Sequence, residues 1–222
     1  MNNSGSLSGG VLMDSDSLRE ALSMSVYPVA LTGAGISVAS GLPTFDISWK
    51  GMPLRDILTE KFFKNHPETF YDLYREILQW KNAKPNAAHK VLAAFNVSII
   101  TQNIDGLHQK AGSKNVLELH GNLRNLICET CRRIYTDNKA ETEKVPHCEC
   151  GNILKPDIVL YGEQVHDWKQ ATEEAQKCDL LMVIGTSLNA APANMLPELA
   201  KAAGAKVLII NHDSEDIFQH IM

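Results

Sequence analysis

The stretch LTGAGISVASGLPTFDISWKG, residues 31–51, runs from an apolar segment into a glycine-rich turn that carries no lysine of its own. Gly33 and Gly35 have no side chain to hold a ligand off the backbone, and amides on such a turn, aimed by the start of a helix, suit a phosphate. Two common nucleotide loops are excluded. A P-loop closes its glycine turn on Gly-Lys-Ser/Thr and the dinucleotide fingerprint needs GxGxxG, whereas residues 33–41 read GAGISVASG. Taken alone, the turn is equally a plain chain reversal after a strand, so its meaning depends on what the rest of the chain places beside it.

Working outward, short apolar runs recur with helical stretches between them: PVALTG at 28–33, VSIITQN at 97–103, VLELHG at 116–121, DIVLYG at 157–162, LLMVIGTS at 180–187 and KVLIIN at 206–211. Continuous rather than alternating hydrophobicity indicates strands buried on both faces, hence an α/β fold with a parallel sheet and helices on either side. Ligands of such sheets bind beyond the carboxyl ends of the strands. The polar residues GAGIS, TQNID, LHG, YGE, GTS and INHD all follow directly on an apolar run, which places a site at that edge.

The chain has 222 residues, 44% hydrophobic and 21% charged, enough for one well-packed α/β domain with a small satellite. A formal charge of −5 argues against a nucleic-acid surface. No apolar stretch has the roughly 18 residues of a membrane span, and the opening MNNSGSLSGG lacks the order of a signal peptide. These features predict a cytoplasmic protein without membrane or nucleic-acid partners. Residues 1–14 read as a disordered lead-in.

Two segments break the alternation. Residues 46–85 hold helical patterns around Leu54–Asn65 and Pro67–Trp80, with Phe70, Leu73, Tyr74 and Ile77 recurring at three and four, and read as an inserted helical lobe. Residues 123–151 carry four of the five cysteines. Cys128 and Cys131 form a CxxC, and after sixteen intervening residues Cys148 and Cys150 form a CxC. That spacing is the signature of a four-coordinate structural zinc, closed to water and without a catalytic role. Four cysteines are the expected ligands; His147 in place of Cys148 is the other arrangement. Cys178, before LLMVIG, reads as a core residue.

The order GAGIS with SGLPTF, TQNIDGLH, ELHG, CxxC with CxC, PDIVLYGE, GTSL and IIN resembles the sirtuin family of NAD-dependent protein deacylases, over about residues 26–213. The resemblance implies a Rossmann-like domain (15–45, 86–122 and 152–222), a small lobe made of the helical insert 46–85 and the zinc ribbon 123–151, and a cleft between them for NAD and an acyl-lysine protein or peptide. It assigns His120 as the general base, with Asn103 and Asp105 positioning the nicotinamide end. It assigns cofactor contacts to Gly33, Ala34, Gly35, Ile36, Thr44, Phe45, Gln102, Asn103, Ile104, Asp105, His120, Gly185, Thr186, Ser187, Asn211 and His212. The strand Val159, Leu160, Tyr161, Gly162, Glu163 would pair with substrate backbone. In the implied chemistry the acyl-lysine oxygen attacks the ribose carbon bearing nicotinamide, and His120 takes a proton from the ribose hydroxyls as the 2′-oxygen attacks the adduct. Lysine, nicotinamide and acyl-ADP-ribose are the products.

The sequence departs from the family at Phe45-Asp46-Ile47, where the family usually has phenylalanine, arginine, glycine. A carboxylate beside a pyrophosphate repels it, so either Asp46 turns away or Lys50 or Arg55 supplies the charge, Arg55 being favoured for its fork and for Pro53 at a first helical turn. The family usually continues through another strand and helix, which this sequence lacks, weakening the adenosine end. Tyr71 and Tyr74, where the branch that removes acidic acyl groups would place tyrosine and arginine, argue for uncharged acyl groups, most simply acetyl; helix packing is the plain alternative for both. NAD hydrolysis or ADP-ribosyl transfer, and a non-enzymatic NAD-binding module, remain the other readings.

Overall fold

The computed structural model describes residues 14–211 and 214–221. Of the expected lead-in only Asp14 is described, and its carboxylate caps helix Ser15–Met24 by accepting from Ser17 N; residues 1–13, and His212 with its expected cofactor contact, lie outside the described residues.

Ten strands form among the described residues: β1 (Pro28–Thr32), β2 (Ser48–Trp49), β3 (Met52–Pro53), β4 (Ser98–Thr101), β5 (Val116–Glu118), β6 (Gly121–Ile127), β7 (Ile134–Thr136), β8 (Lys155–Ile158), β9 (Leu180–Ile184) and β10 (Lys206–Ile210). Five of them make a parallel sheet in the order β10-β9-β1-β4-β5. Every residue of β4 and β9 is buried, as their unbroken apolar runs require. Successive side chains serve opposite faces. Ala30, Ile99 and Met182 pack with Leu18, Leu92 and Phe218 on one side, while Val29, Leu31, Ile100 and Val183 pack with Ala171, Ala175 and Leu196 on the other. From β1 the chain moves to β4 and β5, then crosses to β9 on the far side of β1, which opens a crevice where the order reverses.

The fourth apolar run, at 157–162, is not part of this sheet. Residues 155–158 form β8, antiparallel to β6 in a three-stranded sheet β7-β6-β8. Its burial alternates, with Pro156 and Ile158 inward and Lys155 and Asp157 less covered, which is the pattern of a strand with one buried face. Gly121 makes the approach of β6 to β8 feasible: at φ +75° a Cβ there would stand 2.0 Å from the Asp157 carbonyl oxygen.

The helical insert packs on this smaller sheet around its own apolar cluster, which includes Trp49, Leu54, Ile57, Phe63, Phe70, Tyr71, Tyr74, Leu126 and Leu154. The first expected helix is interrupted. Thr59 caps a new helix, Glu60–Asn65, by accepting from Phe62 N, so Leu54–Ile57 stands apart from it. Helix Pro67–Leu78 buries Phe70, Tyr71, Leu73, Tyr74, Ile77 and Leu78. Strands β2 and β3 form a two-residue hairpin over Lys50 and Gly51, both at positive φ, and Trp49 Nε1 donates to Glu76 Oε1 at 2.8 Å, tying the hairpin to that helix. No helix among the described residues is long and apolar enough to cross a membrane.

Tyr71 and Tyr74 make opposite contributions. The Tyr71 hydroxyl donates to the Leu154 carbonyl, whereas the equally buried Tyr74 hydroxyl has no partner. Tyr71→Phe should therefore lower the calorimetric melting temperature, at a cost of about 1 kcal/mol, and Tyr74→Phe should leave it unchanged or raise it. Equal losses from both variants would contradict this assignment.

Candidate active site at the carboxyl ends of the parallel strands

The turn after β1 is a 3-10 helix, Ala34–Ser40, entered through Gly33. It lies against the turn after β9: Gly33 N donates to the Ile184 carbonyl at 3.1 Å and Gly35 N to the Gly185 carbonyl at 2.8 Å. A Cβ on Gly33 would stand 2.7 Å from Thr186 Cβ, one on Gly35 2.7 Å from Gly185 Cα, and one on Gly185, at φ +62°, 2.2 Å from Ile36 N. The glycines are thus required by the contact of one turn with the other, a reason the sequence alone did not disclose. The Gln102 amide donates to Thr186 Oγ1 at 2.9 Å, and Thr186 N donates to Asn211 Oδ1 at 3.1 Å, which joins the turns after β4, β9 and β10.

His120 follows β5 and is stacked under the Gln102 backbone, its Nδ1 lying 2.9 Å from the Gln102 carbonyl oxygen. A carbonyl can only accept, so Nδ1 carries the proton and Nε2 keeps its lone pair. Burial lowers the imidazole pKa, the Gln102 hydrogen bond raises it by less, and His166 adds to the lowering. Asp105 responds to the same enclosure in the other direction. Burial raises its pKa against the hydrogen bonds it accepts from Leu107 N at 2.9 Å and Ser37 Oγ at 2.7 Å. The Asn103 amide donates to the Gly33 carbonyl at 3.1 Å and to Ser37 Oγ at 3.2 Å, while its own Oδ1 is buried without a partner. Ser37 is therefore a second-turn organiser of both groups; its only sequence signal was its place in GAGIS.

These groups surround a cavity of about 690 Å³. Gly33, Ala34, Gly35, Thr44, Phe45, Gln102, Asn103, Ile104, His120, Gly185, Thr186, Ser187 and Asn211 line it from the large sheet's turns, and Val159, Leu160, Tyr161, Gly162 and Glu163 from the segment after β8. Asp105 lines a narrow recess beside it together with Phe45, Trp80 and Asn103, where the Phe45 and Trp80 rings meet edge-on at 5.7 Å. Ile36 is buried in the core behind the turn and does not line either space. Trp80, Leu58, Val165 and Asn189 join the walls without a sequence signal that singled them out.

Asp46 does line the cavity, and neither expected compensating cation forms an ion pair with it or lines the cavity, although Arg55 acts with Asp46 on Tyr161 of the wall. Lys50 sits 4.1 Å above the Trp49 ring, and Arg55 is 74% exposed with Asp56 at 3.9 Å; neither lines the cavity. Tyr71 and Tyr74 lie in the apolar cluster of the small sheet, away from the cavity wall, so their packing role is the one realised.

The ligating atoms of Cys128, Cys131, Cys148 and Cys150 lie within 4.8 Å of one another, with no disulfide among them. His147 is outside this group, its Nδ1 bonded to the Val145 carbonyl at 2.7 Å. Four thiolates at this separation fit one tetrahedral zinc, which Cys128, Cys131, Cys148 and Cys150 would hold with no position left for water. Cys178 is buried against Ala175, as expected of a core residue.

The sequence model of the Sir2 family matches residues 33–192. The chain belongs to the Sir2 family. It is 42% identical over 214 residues to an NAD-dependent protein deacetylase of Sulfurisphaera tokodaii, covering 90% of this chain and 85% of that one. It is 41% identical over 211 residues to NAD-dependent protein deacylase 2 of Archaeoglobus fulgidus, covering 86% and 82%. Among solved structures, it is similar to Sir2Tm bound to a propionylated peptide, with a TM-score of 0.85, 34% identity, and 95% of this chain and 98% of that chain covered. A Sir2 complex with p53 peptide and NAD⁺ matches with the same TM-score of 0.85, identity and coverage.

Gly185→Ala forces a Cβ onto Ile36 N, so the variant should bind dinucleotide at least tenfold more weakly by calorimetry and melt several degrees lower; wild-type behaviour would refute the turn-on-turn constraint. Metal analysis should return about one zinc per chain, retained by His147→Ala and lost from Cys148→Ala.

Proposed function

We propose that the protein is an NAD-dependent protein-lysine deacetylase, binding dinucleotide along the turns after β1, β4, β9 and β10 and the acyl-lysine peptide along residues 159–163. The residues fit NAD: the turns after β1, β4, β9 and β10 line one cavity of about 690 Å³, and Asn103 Oδ1 on its wall is a buried acceptor without a partner. Bound NAD supplies the nicotinamide–ribose bond that is cleaved and the ribose that takes the acyl group. One observation carries the reading: His120 is held as a neutral imidazole, Nδ1 occupied by the Gln102 carbonyl and Nε2 free, on the wall of the cavity. That nitrogen would accept a proton from a ribose hydroxyl, Asn103 and Asp105 would position the nicotinamide end, and Gln102, whose amide is bonded to Thr186 Oγ1, would contact the ribose.

The peptide would lie along residues 159–163, which line the cavity beyond β8; the Val159, Leu160, Tyr161 and Glu163 amides are already bonded within the protein, so main-chain pairing there would use carbonyl groups and Gly162 N. Phe45, Leu58, Ile104 and Leu160 give the acyl group an apolar wall, and Asp46 disfavours acidic acyl groups. A reducing compartment keeps the four clustered thiols available to metal, which favours the cytoplasm.

Incubation with NAD and an acetyl-lysine peptide should release nicotinamide and deacetylated peptide in step. Nicotinamide release without peptide would favour the hydrolase reading, and saturable binding with no turnover the binding-module reading. His120→Ala should keep NAD binding and lose turnover by about a hundredfold or more. The wild-type rate should fall with acid at a midpoint below the ordinary histidine value of about 6.5, because burial disfavours the imidazolium that abolishes the base. Asp46→Arg should lower the NAD Michaelis constant roughly tenfold, the effect of a gained charge-assisted bond, while Arg55→Ala leaves it unchanged.

A further inference from the structure

The segment that leaves β8 is tied together by a charged pair. Lys155, the first residue of β8, has its Nζ 2.9 Å from Glu163 Oε2, and the two side chains are only 12% and 22% exposed. This is the most enclosed ion pair among the described residues. Lys155 Nζ also donates to the Ile158 carbonyl at 2.8 Å, while Glu163 Oε2 accepts from Leu160 N at 2.8 Å. The pair thus joins the start of the strand to its end and to the turn beyond it.

That turn, residues 160–163, is closed twice. Glu163 N donates to the Leu160 carbonyl at 3.0 Å, and the Glu163 carboxylate returns to Leu160 N. Gly162 stands at φ +99°, a value that suits the third position of a turn, and a Cβ on it would meet nothing within 4 Å, so the glycine serves the backbone angle and not the space. On the flanks, Val159 N donates to the His120 carbonyl at 2.9 Å and Tyr161 N to the Leu58 carbonyl at 2.8 Å. One short stretch therefore bonds to His120 on one side and to the helical insert on the other. With these amides occupied, Gly162 N and the Val159 carbonyl are left without partners among the described residues.

An enclosed ion pair is a poor source of stability, because loss of hydration offsets the attraction, but it fixes geometry well when its remaining donors and acceptors are also bonded. We propose that Lys155 and Glu163 are positioning residues for the acyl-lysine peptide: as a strut they hold residues 158–163 in the shape that leaves Gly162 N and the Val159 carbonyl available to the substrate main chain. The role rests on the reading of residues 159–163 as the peptide site. The turn is ordered when the protein folds, so the peptide binds without bearing that entropy loss. Glu163 acts through the turn and not as a charge presented to the peptide, since Lys155 neutralises its carboxylate and Leu160 N occupies it.

Residue-resolved amide hydrogen exchange on the ligand-free protein should find Leu160 N protected in the wild type and exchanging at least roughly tenfold faster in Lys155→Met and in Glu163→Leu. An unprotected Leu160 in the wild type would overturn the strut, and this readout does not depend on what the cavity binds. In the acetyl-lysine assay each variant should raise the peptide Michaelis constant about tenfold, and the double variant should be no worse than either, because the two residues act as one unit. Glu163→Gln, which keeps an acceptor for Leu160 N, should fall between wild type and Glu163→Leu. NAD affinity by calorimetry should stay within about twofold throughout. A peptide effect of Glu163→Leu that Lys155→Met does not share would make Glu163 a direct contact, and unchanged peptide constants in folded variants would reduce the pair to a structural tie; either result overturns the positioning role. Protection of Leu160 in a wild-type protein that turns over no acetyl-lysine peptide would sink the deacetylase reading, and the peptide role with it, but not the strut.

Discussion

A backbone nitrogen 2.2 Å from the point where a Cβ of Gly185 would stand leaves room for a hydrogen and nothing larger. The remainder of the site is assembled on that contact. It sets the turn after β1 against the turn after β9, and Thr186, the next residue, then receives the Gln102 amide and donates to Asn211. Gln102 in turn presents its carbonyl to His120. The tautomer of His120 is therefore decided by a chain of contacts that begins with missing side chains on two turns.

Enclosure does the electrostatic tuning. The same withdrawal from water lowers the basicity of His120 and raises that of Asp105, because in each case it penalises the charged form. For His120 the result is useful: the form that accepts a proton is the one the environment favours. Two donors, Leu107 N and Ser37 Oγ, oppose that rise at Asp105, which lies in the recess lined by Phe45 and Trp80.

What could be read from the sequence follows from how the signals arise. β1, β4 and β9 were legible because a strand covered on both faces must be apolar throughout, the edge strands β5 and β10 because their shorter apolar runs share that pattern, and the cysteine spacing because metal geometry dictates it. Residues 157–162 misled for the converse reason: three apolar residues in a row looked like a parallel strand, while β8 buries only alternate side chains and the rest of the run lines the cavity. The glycines were placed correctly, but their cause was invisible, since turn-on-turn packing couples residues about 150 positions apart. Lys50 illustrates another limit. Its charge could be counted, but its perch over Trp49 depends on a hairpin at positive φ that composition does not announce.

Among the described residues no lysine or arginine lines the cavity, and the whole chain carries a formal charge of −5. On the proposed reading, phosphates entering it would meet only the dipoles of polar groups, whose field fades with distance far faster than that of an ion. Such a cleft does not gather an anion from solution; it recognises one only on arrival. Dissolved salt, which screens long-range attraction but hardly touches an amide at contact distance, should then have little influence on occupancy. How long a dinucleotide stays, rather than how quickly it is drawn in, becomes the quantity on which this enzyme's responsiveness to its supply is built.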